Sequence, residues 1–316
     1  MPRATSTTSA FTLGPALLFC PGIRPDRFGK AAARADAVIV DLEDTVVPAD
    51  KAEARAVVVA ALTGGGAEGD APVPALDPAS TVIRINTVSP QEREADLLAL
   101  ADTPVRHVMV PKAADVELLD EVADTLPEVS LIPQIESPSG VLEAARIARH
   151  PGVEALFWGT EDMIAELGGT TSRTPDGAYR EVIRHVRNSV LIAAGAAGVP
   201  AIDSIHTNFK DIKRLAVEAE DACASGFIAK ACIHPQQVEP VRRAYTPMPA
   251  EVEWSKSLLA IFRKEAGVDA DGAPATDPHD VGAFTFRGEM IDAPVVVQAQ
   301  RIMARYDATR VRQPGE

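Results

Sequence analysis

The chain has 316 residues and a formal net charge of −14, with 46% hydrophobic, 24% charged and 4% aromatic residues. This length can bury the core of one large domain. The acidic balance and scarce aromatics argue against a nucleic-acid surface, which needs positive charge and stacking side chains. Three irregularly spaced cysteines fit neither a disulfide framework nor a zinc site, and no apolar run reaches the length of a membrane span. We therefore expect a cytoplasmic protein.

Short apolar runs alternate with helical patterns along most of the chain. The predicted strands are Ala16–Phe19, Val38–Val40, Val82–Ile85, Val108–Val110, Leu131–Ile135, Ala155–Trp158, Pro200–Ile202 and Phe227–Lys230. The predicted helices are one that opens after Pro25, then Lys51–Leu62, Gln91–Leu100, Ala114–Leu126, Gly140–Ala148, Tyr179–Ala197, Asp211–Ser225 and Pro235–Tyr245. Eight such units in roughly 230 residues predict an α/β fold of the (β/α)8 TIM-barrel type. The alternative, a doubly wound open sheet, would show a glycine-rich dinucleotide fingerprint after the first strand, and none is present.

The chain divides into three predicted segments. Residues 1–12 are rich in Ser and Thr and are expected to form a disordered tail, and residues 13–247 form the barrel. Residues 248–316 form a C-terminal extension. Within this extension we predict a helix at Ala250–Glu265, a linker at Ala266–Gly282, a hairpin at Ala283–Met290 and a helix at Ala293–Tyr306. We expect the extension to be too small for a core of its own and to pack on the barrel or cover a neighbouring subunit as a lid.

Polar side chains stand where the predicted strands end. In TIM barrels the chemistry lies at these carboxyl ends. Glu136 and Asp162 follow adjacent strands, so their carboxylates can form an oxygen-lined site of the kind that Mg²⁺ prefers. Arg84 can supply donors for a carboxylate or a developing enolate. Lys112 is expected to pair with the carboxylates rather than form a Schiff base. For each residue taken alone, a helix cap or a solvated charge is the favoured interpretation, but the position of the whole set at the same end of successive strands favours a functional site.

At these residues the sequence resembles the citrate lyase β-subunit family, within the HpcH/HpaI aldolase/citrate lyase superfamily. The resemblance covers nearly the whole chain, from Leu17 to about Tyr306. The matching stretches are LFCPGIRPDRFGKA, AVIVDLEDTVVPADKAEAR, VIRIN, VMVPKA, IPQIESPSGVLEA, ALFWGTEDMIAELGG, AIDSIHTNFKD, AKACIHPQQVEPV and GAFTFRGEMIDAPVV.

The resemblance implies a TIM barrel, a bound Mg²⁺ and aldol- or Claisen-type chemistry on acyl-CoA thioesters such as malyl-CoA or citramalyl-CoA. It implies that Glu136 and Asp162 are the Mg²⁺ ligands and that Arg84 holds the substrate carboxylate or enolate. Asp41 and Glu43 would orient Arg84 and metal-bound water.

The resemblance also implies roles for residues nearer the two ends of the chain. Arg24 and Lys30 would meet the phosphates of coenzyme A, which is part of the substrate. Asp292 would be the acid–base group, supplied by the tail of an adjacent subunit in a homotrimer or hexamer. The alternative is that Asp292 caps the final helix, because Asp followed by Ala-Pro fits a helix start.

Several positions depart from the family pattern. Ser137, Pro138 and Ser139 stand where family members often have Thr-Ala-Arg, Trp158 is bulky, and residues 204–208 are unusual. These changes leave the acyl group unassigned. Two alternatives to a thioester lyase stay open at this point: a metal-dependent aldolase for a free 2-oxo acid, and a non-catalytic or partner-dependent subunit.

Overall fold

The computed structural model describes residues 11–64, 66, 73–267 and 277–312. The chain forms two compact units, residues 1–242 and 243–316. The first contains a closed barrel of eight parallel strands in chain order, which confirms the predicted TIM-barrel fold. Most of the predicted disordered tail, residues 1–10, lies outside the described residues. The described helices include none long and apolar enough to cross a membrane.

The secondary structure follows the predicted alternation. The barrel strands are β1 Ala16–Pro21, β2 Ala37–Asp41, β3 Thr81–Arg84, β4 His107–Val110, β5 Ser130–Ile135, β6 Leu156–Trp158, β7 Ala201–Asp203 and β8 Ala229–Cys232. The helices of this unit are α1 Pro25–Ala32, α2 Lys51–Thr63, α3 Pro90–Ala101, α4 Glu117–Thr125, α5 Pro138–Ile147, α6 Glu161–Glu166, α7 Glu181–Ala197 and α8 Ile212–Ser225, with α9 Val238–Tyr245 crossing into the second unit. β8 begins two residues later than predicted. The short α6 was not predicted, because six residues show too little periodicity.

Alternate residues of each strand fill the barrel interior. Leu17, Ile39, Val82 and Ile132 belong to this buried apolar cluster, and Phe157 joins it from β6. Side chains in a strand repeat every two residues, so the residues two positions further along face the same axis at the carboxyl end. The polar residues at those positions are Asp41, Arg84 and Gln134, with Glu136 a further two along.

The start of α5 fixes the segment that carries Glu136. Ser137 caps the helix, accepting a hydrogen bond from the amide of Gly140 at 3.0 Å, and Pro138 occupies the first helical turn. At Gly140 a Cβ atom would lie 2.5 Å from the carbonyl oxygen of Ala113, so the loop after β4 can approach this turn only because the residue is glycine. The start of α5 therefore packs closely against the loop that follows β4, directly after Glu136.

The second unit contains α10 Pro249–Glu265, a hairpin of β9 Phe284–Phe286 and β10 Glu289–Ile291, and α11 Ala293–Arg312. The predicted hairpin is confirmed. Arg287 and Gly288 form its turn with φ values of 51° and 85°, the positive pair that a two-residue type I′ turn requires.

The expectation that this extension lacks a core is wrong. Apolar residues of α10, the hairpin and α11 bury one another in a cluster of Leu258, Leu259, Phe262, Phe286, Ile291, Val296 and Ala299. The two aromatic residues and the long α10 supply more apolar area than the sequence pattern suggested.

Candidate active site

A cavity of about 1010 Å³ opens at the carboxyl ends of the barrel strands. Arg84, Glu136 and Asp162 line it together with Arg24 and Lys30. The structure thus brings five of the predicted site residues to one cavity. Asp41 and Glu43 lie behind Arg84, in contact with its guanidinium group. Asp292 belongs to the second unit, where its side chain is exposed and its carbonyl accepts hydrogen bonds from the first amides of α11.

Arg84 is held in place by buried carboxylates. Its Nε and Nη2 donate to the two oxygens of Asp41 at 2.7 and 2.8 Å, and its Nη1 lies 3.2 Å from Oε2 of Glu43. Its guanidinium carbon lies 5.0 Å from the centre of the Phe19 ring. Asp41 also accepts hydrogen bonds from the amides of Glu43 and Thr45. Burial alone would raise the pKa of Asp41, but the hydrogen bonds and charge of Arg84 hold it below its usual range. A fixed cation therefore faces the cavity.

Glu136 is buried, and both of its oxygens accept hydrogen bonds. Oε1 accepts from the backbone amide of Lys112 at 2.9 Å, and Oε2 accepts from the side-chain amide of Gln134. Burial raises the pKa of Glu136 to about 8, and the negative charges of Asp162 and Glu43 add to the shift. The carboxylate therefore lies in a place where negative charge is incompletely balanced.

Asp162 lies in the first turn of α6, and its side chain is 44% exposed toward the cavity. Nζ of Lys112 lies 3.7 Å from its Oδ1 and 2.5 Å from Oε1 of Glu43, which confirms Lys112 as an ion-pair partner of these carboxylates. Among the described residues, no group of three or more His, Cys, Asp or Glu side chains is arranged to hold a metal ion. Two carboxylates fit Mg²⁺, which binds proteins through one or two carboxylates and keeps its other positions for water and substrate oxygens.

The cavity rim is positively charged along α1. Arg27 and Arg34 line the cavity beside the predicted Arg24 and Lys30. Arg24 forms an exposed ion pair with Asp26 at 2.8 Å. Arg27 and Arg34 were missed, although Arg27 precedes Lys30 by three residues within α1 and therefore shares its face; Arg34 lies two residues beyond the end of this helix.

Some of the residues that depart from the family pattern line the cavity, and one lies behind its wall. Trp158 is fully buried and points away from the cavity toward Asp203, to which its indole NH donates at 3.0 Å. Ser204 and Ile205, from the unusual segment after β7, do line the cavity. Of the departures named here, these two residues, rather than Trp158, therefore shape the cavity.

The family model described as HpcH/HpaI aldolase/citrate lyase matches residues 16–235. The chain belongs to this family. The family match spans all eight barrel strands and every cavity-lining residue discussed above, and ends before α9.

Three curated relatives of this HpcH/HpaI family member are similar over most of its length. The citrate lyase subunit beta-like protein of Mycobacterium tuberculosis is 42% identical, covering 92% of this chain and 95% of its own. The (3S)-malyl-CoA thioesterase of Cereibacter sphaeroides is 29% identical, covering 92% and 94%. The mitochondrial citramalyl-CoA lyase of Rattus norvegicus is 29% identical, covering 91% and 84%.

A solved structure extends the similarity to the fold. CitE from Mycobacterium tuberculosis, in complex with magnesium, acetoacetate and coenzyme A, superimposes with a TM-score of 0.78 and 41% identity. The match covers 93% of this family member and 98% of that chain. It therefore includes parts of both compact units.

Proposed function

We propose that this protein is a Mg²⁺-dependent carbon–carbon lyase that acts on a 3-hydroxyacyl-CoA thioester and yields an acyl-CoA and a 2-oxo acid. The observation that carries the proposal is the pairing of Glu136 and Asp162 with Arg84 in one cavity whose rim is cationic. The family and the names of the relatives support a lyase, and the solved relative with magnesium and coenzyme A supports both ligands. Malyl-CoA and citramalyl-CoA are the proposed substrates.

In this mechanism Glu136 and Asp162 would hold the Mg²⁺ ion, which when bound would act as a Lewis acid on the substrate oxygens. Arg84 uses Nε and one Nη2 hydrogen on Asp41, and its Nη1 faces Glu43 at 3.2 Å, which leaves the second Nη2 hydrogen and one Nη1 hydrogen for other partners. We assign these hydrogens to the substrate carboxylate or to the enolate oxygen that develops.

Cleavage breaks the bond between the thioester α-carbon and the carbon that bears the hydroxyl. The hydroxyl gives its proton to water, this carbon becomes the carbonyl of the 2-oxo acid, and the electron pair passes to the thioester enolate. Asp292 of an adjacent subunit then delivers a proton to the α-carbon, completing the acyl-CoA. Asp292 enters this step protonated and regains its proton from water after turnover, so that one proton moves in total from the hydroxyl to the α-carbon. The proposal includes a homotrimer or hexamer, in which the C-terminal unit of one chain acts as a lid that excludes water from the enolate.

The first test measures 2-oxo acid release from malyl-CoA and citramalyl-CoA with Mg²⁺ and then with EDTA. We expect cleavage that stops with EDTA and that falls at least about 100-fold in Glu136→Gln, because the amide is a weaker metal ligand. Glu128→Gln, at an exposed position, is the matched control and should keep full activity.

The products separate the competing outcomes of this test. Release of free coenzyme A without a 2-oxo acid would identify a thioesterase. Cleavage that persists in EDTA, or no cleavage of either thioester, would overturn the proposal.

A further inference from the structure

Lys112 has an unusual backbone conformation directly after β4. Its φ is +51°, and among the described residues only one other non-glycine residue, Arg287, has a positive φ. A side chain at Cβ makes this left-handed region sterically unfavourable, so surrounding contacts must hold it. Arg287 lies in a hairpin turn that demands the conformation. Lys112 instead lies with Pro111 in the turn that leaves barrel strand β4, which is not a hairpin turn.

The backbone conformation of Lys112 sets the relative directions of two successive amides, its own and that of Ala113, beside the proposed metal site. The NH of Lys112 donates to Oε1 of Glu136 at 2.9 Å, and the next amide, of Ala113, donates to the carbonyl of Gln134 at 3.1 Å. Two successive amides of the loop after β4 thus donate hydrogen bonds to residues at the end of β5. The first of them orients the Glu136 carboxylate directly.

The side chain of Lys112 supplies the contact that can hold this conformation. Its Nζ donates to Oε1 of Glu43 at 2.5 Å, and Glu43 is buried with its other oxygen 3.2 Å from Nη1 of Arg84. The same Nζ lies 3.7 Å from Asp162. A partly buried ion pair of this kind is stronger than one in solvent and fixes the position of the chain that carries it.

We propose that Lys112 is a positioning residue whose side chain and backbone make separable contributions. Its ion pair with Glu43 holds the left-handed backbone, and that backbone allows the amides of Lys112 and Ala113 to reach Glu136 and Gln134 at the same time. The inference rests on the proposed function, because it takes Glu136 as a Mg²⁺ ligand. The effect on the metal is indirect: Lys112 acts through the orientation of the Glu136 carboxylate.

Two substitutions separate these contributions. Lys112→Ala and Lys112→Gly both remove the ammonium group, so any change in local charge is common to both. Alanine retains the Cβ and, without the ion pair, should leave the left-handed region; the two amides then change their relative direction, and the hydrogen bond to Glu136 is lost or weakened. Glycine adopts the same φ without steric cost and should keep the amide in place. Lys112→Arg retains a cation that can reach Glu43 and should restore the native behaviour.

The experiment is calorimetric titration of Mg²⁺ into the full-length, substrate-free protein. We expect Lys112→Ala to bind Mg²⁺ about fivefold or more weakly than Lys112→Gly, the ratio that the steric cost of the left-handed region allows. Lys112→Arg should bind within about threefold of the wild type. Arg287→Ala and Arg287→Gly form the matched control pair: they share the positive φ but should bind Mg²⁺ equally. Equal binding by the two Lys112 variants, or failure of arginine to restore it, overturns the inference.

The design distinguishes this inference from the proposed function. If the wild type binds Mg²⁺ but cleaves no thioester, the lyase proposal fails and the Ala-to-Gly ratio still decides the role of Lys112. If the wild type binds no Mg²⁺, the metal assignment fails, and with it the part of the inference that concerns the metal. Thermal unfolding then decides the backbone part: Lys112→Gly should melt above Lys112→Ala, and equal or reversed melting temperatures overturn it.

Discussion

Glu136 lies in a space with no room for another heavy atom on its β6 side. A Cβ atom built at Gly159 would lie 2.6 Å from Oε2 of Glu136 and 2.8 Å from its Cβ. Gln134 and Lys112 hold the carboxylate from the other directions. The absence of a side chain at Gly159 is therefore a condition for the position of the carboxylate.

Gly159→Ala should displace the Glu136 carboxylate and weaken Mg²⁺ binding. Overpacking of this kind costs about 1–3 kcal/mol, so a Kd increase of about tenfold is expected where the strain is relieved by moving the carboxylate. Calorimetry with Mg²⁺ measures the change. Gly195→Ala is the control, because its Cβ would meet nothing within 4 Å and the helix α7 favours alanine. An unchanged Kd in Gly159→Ala would show that the carboxylate does not occupy its metal-binding position in this structure.

The sequence predicted Arg84, Glu136 and Asp162 as site residues from their positions at the ends of the strands, and Asp41 from the family resemblance. Arg84 and Asp41 continue the inward-facing rows of β3 and β2, so their convergence at the barrel mouth could be predicted from spacing. The left-handed backbone of Lys112 and the close approach of Gly159 to Glu136 could not. Both depend on contacts between segments that are distant in the chain, and no local pattern in one sequence reports such contacts.

At the scale of a single element, α1 combines a buried face with a charged one. Phe28 and Ala31 pack inward, while Arg27 and Lys30 are exposed and line the cavity. The overall charge of the protein is −14, so this helix is a local exception to an acidic molecule. A cationic helix face beside the site can bind the phosphates of a coenzyme A thioester without attracting polyanions in general.

The double variant Arg27→Glu/Lys30→Glu should raise the KM for the CoA thioester about tenfold or more, since each hydrogen bond to a charged group contributes about 1.5–3 kcal/mol. The kcat should change little, because the phosphates lie far from the bond that breaks. Steady-state kinetics at low and high salt measure KM and kcat. The difference in KM between the variant and the wild type should become smaller at high salt, because salt screens the charges. Arg149→Glu, at an exposed position two residues after the end of α5, is the control. An unchanged KM would favour a substrate without phosphates, such as a free 2-oxo acid.

At the scale of the whole molecule, the proposed chemistry is divided between two units that each have their own core. The barrel interior and the cluster of α10, the hairpin and α11 are separate sets of buried residues. Glu136, Asp162 and Arg84 belong to the first unit and Asp292 to the second. A unit with its own core can keep its structure while it covers the active site of a neighbouring chain.

Mixed oligomers test whether Asp292 serves a neighbouring chain. Glu136→Gln and Asp292→Asn, each inactive alone, should regain about a quarter of wild-type activity when they are co-expressed in equal amounts and mix at random, since a quarter of the sites then combine an intact Glu136 with an intact Asp292 from the neighbour. Two different affinity tags verify that mixed oligomers have formed. The control pair is Glu136→Gln with Asp162→Asn: both changes lie in the same barrel site, so every site is defective and no activity should return. Mixed Glu136→Gln and Asp292→Asn oligomers that stay inactive would show that Asp292 does not complete the neighbour's site.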